Sequence, residues 1–291
     1  MDRILEDFRN YLRIERGMSP NTVASYCRDV GGMLEAFNGR PPGKIRKEDV
    51  ERYLSERIAG GLSKRSQARL LSALRSFFNW CIEEGDVKEN PCDRIDAPKL
   101  GKYLPAVLSV EEVDAIISSV DTRTAAGLRN RAILEVLYGC GLRVSECTGL
   151  RLSHVHFDEG YLDVVGKGNK QRIIPLGEMA ADAVRNYLPA RTAPASRAYE
   201  DILFLNRSGR PLSRISVFNL VKDQAMAAGI HKEISPHTFR HSFASHLIEG
   251  GADLRIVQEM LGHESILTTE IYTHIDSSTW QAAVLEHHPR K

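Results

Sequence analysis

Six residues spread over the second half of the chain could together attack a phosphodiester: Arg143, Lys167, His237, Arg240, His263 and Tyr272. Two guanidiniums can grip the non-bridging oxygens of a phosphate through planar donor forks, a phenol can supply the nucleophile, and the lysine and histidines can carry protons. Such chemistry needs no metal. So many cations and proton carriers make a poor hydrophobic core, which is the other use a folded chain has for side chains that converge.

Local context supports the convergence. Arg143 follows Gly139-Cys140-Gly141-Leu142, where two glycines end one helix and the arginine opens the next, beside exposed amide donors that favour an anion. Lys167 lies in Val165-Gly166-Lys167-Gly168-Asn169-Lys170 between two strand-like runs, so it reads as the tip of a β-hairpin able to reach into a groove. His237 and Arg240 follow Ser235-Pro236, a cap and first turn, and their spacing of three places both on one helix face. His263 comes straight after the helix stop Leu261-Gly262, and Tyr272 follows nine residues later. Each signal is weak alone, since an isolated Arg, Lys or Tyr is usually solvated or packed. The Gly-Lys-Gly tip is not a phosphate-binding loop, which needs a Lys-Ser/Thr pair opening a helix. His241, His246, His274, His287 and His288 read as structural or surface residues. Specificity lies in the ordered set.

The elements that must position this set fall into two groups. Residues 2–16, 20–37, 48–60 and 64–85 carry apolar residues at helical spacing, started at Ser19-Pro20 and Ser63 and stopped at Gly60-Gly61 and Gly85. Four short helices make a small bundle. A stretch rich in turn formers and basic residues follows, from Asn90-Pro91 through Ala97-Pro98-Lys99 to Lys102-Tyr103-Leu104-Pro105. Ser109-Val110-Glu111-Glu112 is a capping box that opens a second domain. Helices run to about residue 150, and His154–Phe157, Tyr161–Val165 and Arg172–Pro175 predict a three-stranded sheet before the chain returns to helices. The expected fold class is mainly α with a small β-sheet, with domains at 1–88 and 107–291 joined by a linker over 89–106.

Composition bounds the function without revealing it. With 42% hydrophobic and 26% charged residues over 291 positions the chain is globular and long enough for two cores. Net charge is only +1, with 19 basic against 16 acidic residues through position 104 and 20 against 22 beyond it, so a nucleic-acid partner has to be met by local basic faces. Lys64, Arg65, Arg69 and Arg75 approximate one such face of the fourth helix, with Ser66 and Gln67 beside it as hydrogen-bonding groups. Five cysteines without a Cys-x-x-Cys pair argue against a disulfide framework and a zinc site. No signal peptide and no bilayer-length apolar run is present, which predicts a cytoplasmic protein without a membrane partner.

The ordered set resembles the tyrosine recombinases, or phage-integrase family, along essentially the whole chain. Gly141-Leu142-Arg143-Val144-Ser145-Glu146 looks like the family's first arginine motif, His237-Thr238-Phe239-Arg240-His241 like its His-x-x-Arg box, Leu261-Gly262-His263 like the second histidine box, and Ile271-Tyr272-Thr273-His274 like the nucleophile segment. Glu15-Arg16-Gly17-Met18-Ser19-Pro20-Asn21-Thr22 and Ser72-Ala73-Leu74-Arg75-Ser76-Phe77-Phe78 are similar to the amino-terminal domain of the Xer subfamily, and the tail Glu286-His287-His288-Pro289-Arg290 is most like its XerD branch. Cys147 stands where leucine is usual and reads as core variation.

The resemblance implies a SAM-like core-binding domain and an α+β catalytic domain that together embrace duplex DNA. It also implies attack by Tyr272 to give a 3′-phosphotyrosyl bond and a free 5′-hydroxyl. Arg143 and Arg240 then neutralise the charge developing on phosphate, with His263 as a further donor. Lys167 is the candidate acid for the leaving 5′-oxygen, and His237 the acceptor of the phenol proton. Neither ATP, a metal nor another cofactor is required. The implied partners are a double-stranded recombination site, a second Xer-type recombinase in a tetramer, and a DNA translocase of the FtsK type, in resolution of chromosome dimers. A short amphipathic tail segment with Trp280, Val284 and Leu285 at helical spacing is implied to dock on a neighbouring protomer, the alternative being that it folds back on its own domain. An integrase or invertase of a mobile element would use the same residues, and a non-catalytic DNA-binding protein could keep the same architecture.

Overall fold

The computed structural model describes residues 2–99, 107–166, 171–262, 284 and 286–290. Its packing divides into two units, Met1–Tyr103 and Leu104–Lys291.

The first unit is built from α1 (Asp2–Asn10), α2 (Pro20–Ala36), α3 (Lys47–Ala59) and α4 (Lys64–Glu83). The single helix expected over 2–16 is divided: after α1 the chain widens into one π-helical turn, Tyr11–Glu15, which carries Tyr11 and Leu12 into the core. Ser19 and Ser63 cap α2 and α4 as expected, each hydroxyl accepting the backbone N–H three residues on. Phe8, Phe77, Phe78 and Trp80 form the aromatic heart of the bundle, with Phe8 set edge-on to Phe77 at 5.3 Å between ring centres. Residues 90–95 are fastened to α4. Asn90 donates to the Arg75 carbonyl and to Asn79 Oδ1, and the Arg75 side chain donates to the carbonyls of Cys92 and Ile95.

The second unit opens at Ser109, whose hydroxyl accepts from Glu112 N–H while the Glu112 carboxylate accepts from Ser109 N–H, closing the expected capping box of α5 (Val110–Ser118). Its central element is α6 (Ala125–Gly139), buried on every side from Ala132 to Gly139. Around it lie α7 (Val144–Thr148), β1 (Val155–His156), β2 (Tyr161–Val165), β3 (Gln171–Pro175), α8 (Glu178–Tyr187), α9 (Arg214–Ala227), α10 (Pro236–Glu249) and α11 (Leu254–Leu261). The three strands form one antiparallel sheet in the order β1-β2-β3, with Val165 opposite Gln171 across the hairpin. Leu162 and Val164 alternate inward on β2, opposite Ile174 and Arg172 of β3. A charged side chain therefore stands on the inward face of the sheet.

Five buried cysteines carry free thiols, and Cys147 sits fully buried in the second core. The described end of the tail belongs to its own domain. Val284 and His288 are buried in the second unit, where His288 lies against Tyr138 and Phe243, and Arg290 donates to Glu135 Oε2 at 3.0 Å and pairs with Asp114. Glu135 sits on the buried helix α6, where an unpaired carboxylate is costly, and it is paired twice, with Arg290 and with Arg131 at 3.3 Å. The remainder of the segment expected to reach a neighbour, Trp280 and Leu285 included, lies outside the described residues.

Candidate functional site: a buried arginine cluster

The loop from α6 to α7 makes the site. Gly141 adopts φ +57°, and a Cβ there would stand 2.4 Å from the Phe243 ring, so only glycine lets the chain turn so close to α10. The turn aims the Gly141 carbonyl at Arg240, whose Nη1 donates to it at 2.7 Å. Two residues later Arg143 caps α7, and Glu146 in the first turn folds back to accept from the Arg143 backbone N–H at 2.8 Å. The same carboxylate accepts from Arg143 Nη1 at 2.8 Å.

Glu146 is also gripped from the sheet. Arg172, on the inward face of β3, donates through Nη1 and Nη2 to the two carboxylate oxygens at 2.9 and 2.8 Å. Arg240 Nη1 approaches Glu146 Oε2 at 3.9 Å. Burial draws the Glu146 carboxyl upward, but the hydrogen bonds and charges of Arg172 and Arg143 outweigh it and hold the group below the usual carboxylate range. Arg240 moves the other way: burial, reinforced by the charges of Arg143 and Arg172 and opposed by Glu146, lowers its pKa to about 10.

The far side of the cluster is the end of α11. Gly262 closes that helix in the left-handed conformation, φ +64°, as the Leu261-Gly262 stop predicts. Its last carbonyls lack intrahelical partners, and three consecutive ones are taken by three different guanidiniums: Met260 by Arg172 Nε at 2.9 Å, Leu261 by Arg240 Nη2, and Gly262 by Arg143 Nη2 at 2.9 Å. Among the described residues, three guanidiniums against one carboxylate leave two positive charges uncompensated in a largely desolvated setting. A phosphodiester carries one negative charge and its pentacoordinate transition state two, so the cluster is electrostatically suited to the latter. Arg143, with 31% of its side chain exposed against 9% for Arg240 and 11% for Arg172, is the guanidinium most open to an incoming group.

Of the six residues expected to converge, the structure brings Arg143 and Arg240 together. His237 is exposed on the first turn of α10, one turn before the buried Arg240. Lys167, His263 and Tyr272 lie outside the described residues, although the strands that flank Lys167 pair as a hairpin and α11 ends immediately before His263. On α4, Lys64 and Arg65 are exposed, Arg69 is exposed but bonded to Asp29 at 3.1 Å, and Arg75 is partly buried with Nε and Nη2 donating to the backbone carbonyls of 92 and 95. The four basic residues thus do not form one free face. Sequence reasoning missed Glu146 and Arg172. The first is signalled by a carboxylate three residues after the cap Arg143, the second by a charge in phase with the buried Ile174 of β3. Among the described residues, no group of three or more His, Cys, Asp or Glu side chains is placed to hold a metal ion.

Comparison with known proteins decides the lineage. The model of the phage integrase family matches residues 106–279, and that of the phage integrase N-terminal SAM-like domain matches residues 5–85. The chain belongs to the phage integrase family. It is 45% identical to tyrosine recombinase XerD of Chlorobaculum tepidum, covering 99% of this chain and 97% of that one, and 41% identical to tyrosine recombinase XerD of Listeria monocytogenes, covering 100% of each. Among solved structures, XerA recombinase is 31% identical and covers 100% of this chain and 99% of its own, with a TM-score of 0.51. A lambda integrase dimer bound to a core site is 21% identical, with a TM-score of 0.73 over 93% of this chain and 99% of its own, a likeness of fold. As a tyrosine recombinase the chain is an enzyme that cleaves and rejoins DNA strands, built from a SAM-like domain and an integrase-type catalytic domain.

Proposed function

We propose that this recombinase resolves chromosome dimers at a single DNA site, in the cytoplasm, as half of a tetramer shared with a second Xer-type recombinase and switched on by a DNA translocase of the FtsK type. Full-length likeness to proteins named XerD supports the choice of branch. A XerH recombinase, solved bound to a palindromic difH substrate after cleavage, has a TM-score of 0.70 to this chain at 24% identity, which supports the architecture of such a complex.

In this reading, the observation that carries the chemistry is the buried excess of positive charge around Glu146. Arg143 and Arg240 grip the scissile phosphate with the donors that Glu146 and the α11 carbonyls leave over: each engages two of its five N–H groups among the described residues. Tyr272 attacks phosphorus, His237 accepts the phenol proton, Lys167 protonates the leaving 5′-oxygen and His263 adds a donor to the phosphate. The phosphotyrosyl bond keeps the energy of the phosphodiester, so the 5′-hydroxyl of another strand reverses the step without ATP. Lys64 and Arg65 lead the contact of the first unit with the DNA backbone.

Selection of the preferred binding site from random duplexes, followed by mapping onto the chromosome, tests the biological half of the proposal. One site near the replication terminus is expected. Sites at the ends of mobile elements would identify an integrase or invertase instead.

A further inference from the structure

We infer that Arg172 is a positioning residue for phosphate attack: it holds the Glu146 carboxylate and the end of α11 in the one arrangement that aims Arg143 and Arg240 at the scissile phosphate. The inference rests on the proposed roles of those two arginines. It adds a residue that neither the six-residue set nor its chemistry requires.

Among the described residues, Arg172 ties the strand β3 to both Glu146 and the end of α11. Its guanidinium makes three bonds to two separate elements: a two-point fork onto Glu146 of α7, and a bond from Nε to the Met260 carbonyl at the end of α11. It starts from a third element, β3, directly opposite the buried Val164. Arg172 is therefore a strut between strand, capping carboxylate and helix end, and with its side chain 11% exposed it has little freedom to do anything else. Glu146 passes the constraint on, because one of its oxygens also receives Arg143 Nη1. The carbonyls next along α11 receive Arg240 and Arg143. A planar fork fixes both distance and orientation, which a lysine ammonium, a single point charge on a flexible stem, does not.

Removing the strut leaves Glu146 free to turn fully onto Arg143 and over-neutralise it, and lets the end of α11 drift from the two phosphate-gripping guanidiniums. A misplacement of about 1 Å costs on the order of 10²-fold in rate while binding of the rest of the substrate persists. Arg172 lies on the same hairpin as Lys167, so a competing explanation is that it merely steadies the proposed general acid. The two make different demands on the substrate.

The test uses the full-length enzyme and nicked suicide duplexes carrying its selected site. Adduct formation and site affinity are measured for R172Q and R172K, with R143A and K167A alongside. R172K keeps a cation beside Glu146, so the assay survives even if R172Q folds poorly. Both variants are expected to form adduct on the order of 10²-fold more slowly than wild type, with affinity within a few-fold. On a methylphosphonate at the scissile position, which lacks the charge the arginines neutralise, the gap from wild type should shrink to a few-fold. A purely structural defect would persist undiminished on that substrate and would overturn the inference. On a duplex with a bridging 5′-sulfur, whose leaving group needs no proton, K167A should recover and R172Q should not. Recovery of R172Q there would assign Arg172 to the hairpin and sink the proposal. If R143A cleaves like wild type, the arginine site itself is misassigned; if R143A is crippled while R172Q and R172K are not, only the role of Arg172 fails.

Discussion

At the residue scale, Glu146 is the point on which the site turns. It is nearly fully buried, accepts from two arginines and lies within 3.9 Å of a third, so the cluster is neither a salt-bridge pair nor an open cationic patch. Its cations are only partly compensated, which is the condition for preorganised stabilisation of a more negative transition state. Arg143→Ala or Arg240→Ala is therefore expected to slow strand cleavage by at least about a hundredfold, by analogy with loss of one oxyanion donor, while site affinity falls only a few-fold. Parallel losses in binding and cleavage would make the two arginines positioning contacts. Lys167→Ala is expected to cost roughly 10²–10⁴-fold on ordinary DNA, the span of general acid catalysis, and to recover on the 5′-thio substrate. Arg143 and Arg240 were legible because each sits beside a strong local signal, a glycine turn and a Ser-Pro helix start. Arg172 was not, because strand periodicity alone marks it as an inward residue that a sequence reader would fill with an apolar side chain. The bonds of Arg75 were not legible either: its helical phase places it near the basic face, and the carbonyls of 92 and 95 that bind it come from a segment whose path the sequence does not disclose.

At the scale of elements, α10 links the arginine cluster to the end of the chain. One side of the helix carries Arg240 into the cluster, while Phe243 and His246 meet Tyr138 and His288 behind it, with Tyr138 Oη and His246 Nδ1 2.7 Å apart. His288 Nδ1 accepts the Arg290 backbone N–H, and Nε2 finds no partner among the described residues. Burial drives the His288 imidazole down to about 4 from 6.5, with the charge of Arg290 assisting. Between those values the unfolded chain binds a proton that the folded one refuses. The associated stability is fully present above pH 6.5 and is lost as pH falls towards 4. His288→Phe should therefore flatten the acid side of the urea-unfolding profile, retaining on the order of 3 kcal/mol that wild type loses between pH 7 and pH 4. Superimposable profiles would show that the imidazole titrates normally. Element boundaries were readable wherever a cap is a local bond, as at Ser19, Ser63 and Ser109. The π-helical turn at Tyr11–Glu15 was not, since its apolar spacing is compatible with a continuous helix.

At the scale of the molecule, two separate cores follow one another along the chain, and the turn-rich stretch between them carries Lys99 and Lys102. Brief trypsin treatment is expected to cut there first and release two resistant fragments, each with its own cooperative melting transition. Cutting inside α4 or α6 at the same rate would contradict that division. The proposed chemistry stands on one covalent bond. Incubation of the full-length enzyme with a nicked suicide duplex bearing its selected site should trap a protein–DNA adduct through a 3′-phosphotyrosyl link, and Tyr272→Phe, which loses a single hydroxyl, should abolish it while site affinity stays within a few-fold. An adduct that persists in Tyr272→Phe would place the nucleophile on another residue and overturn the proposed chemistry.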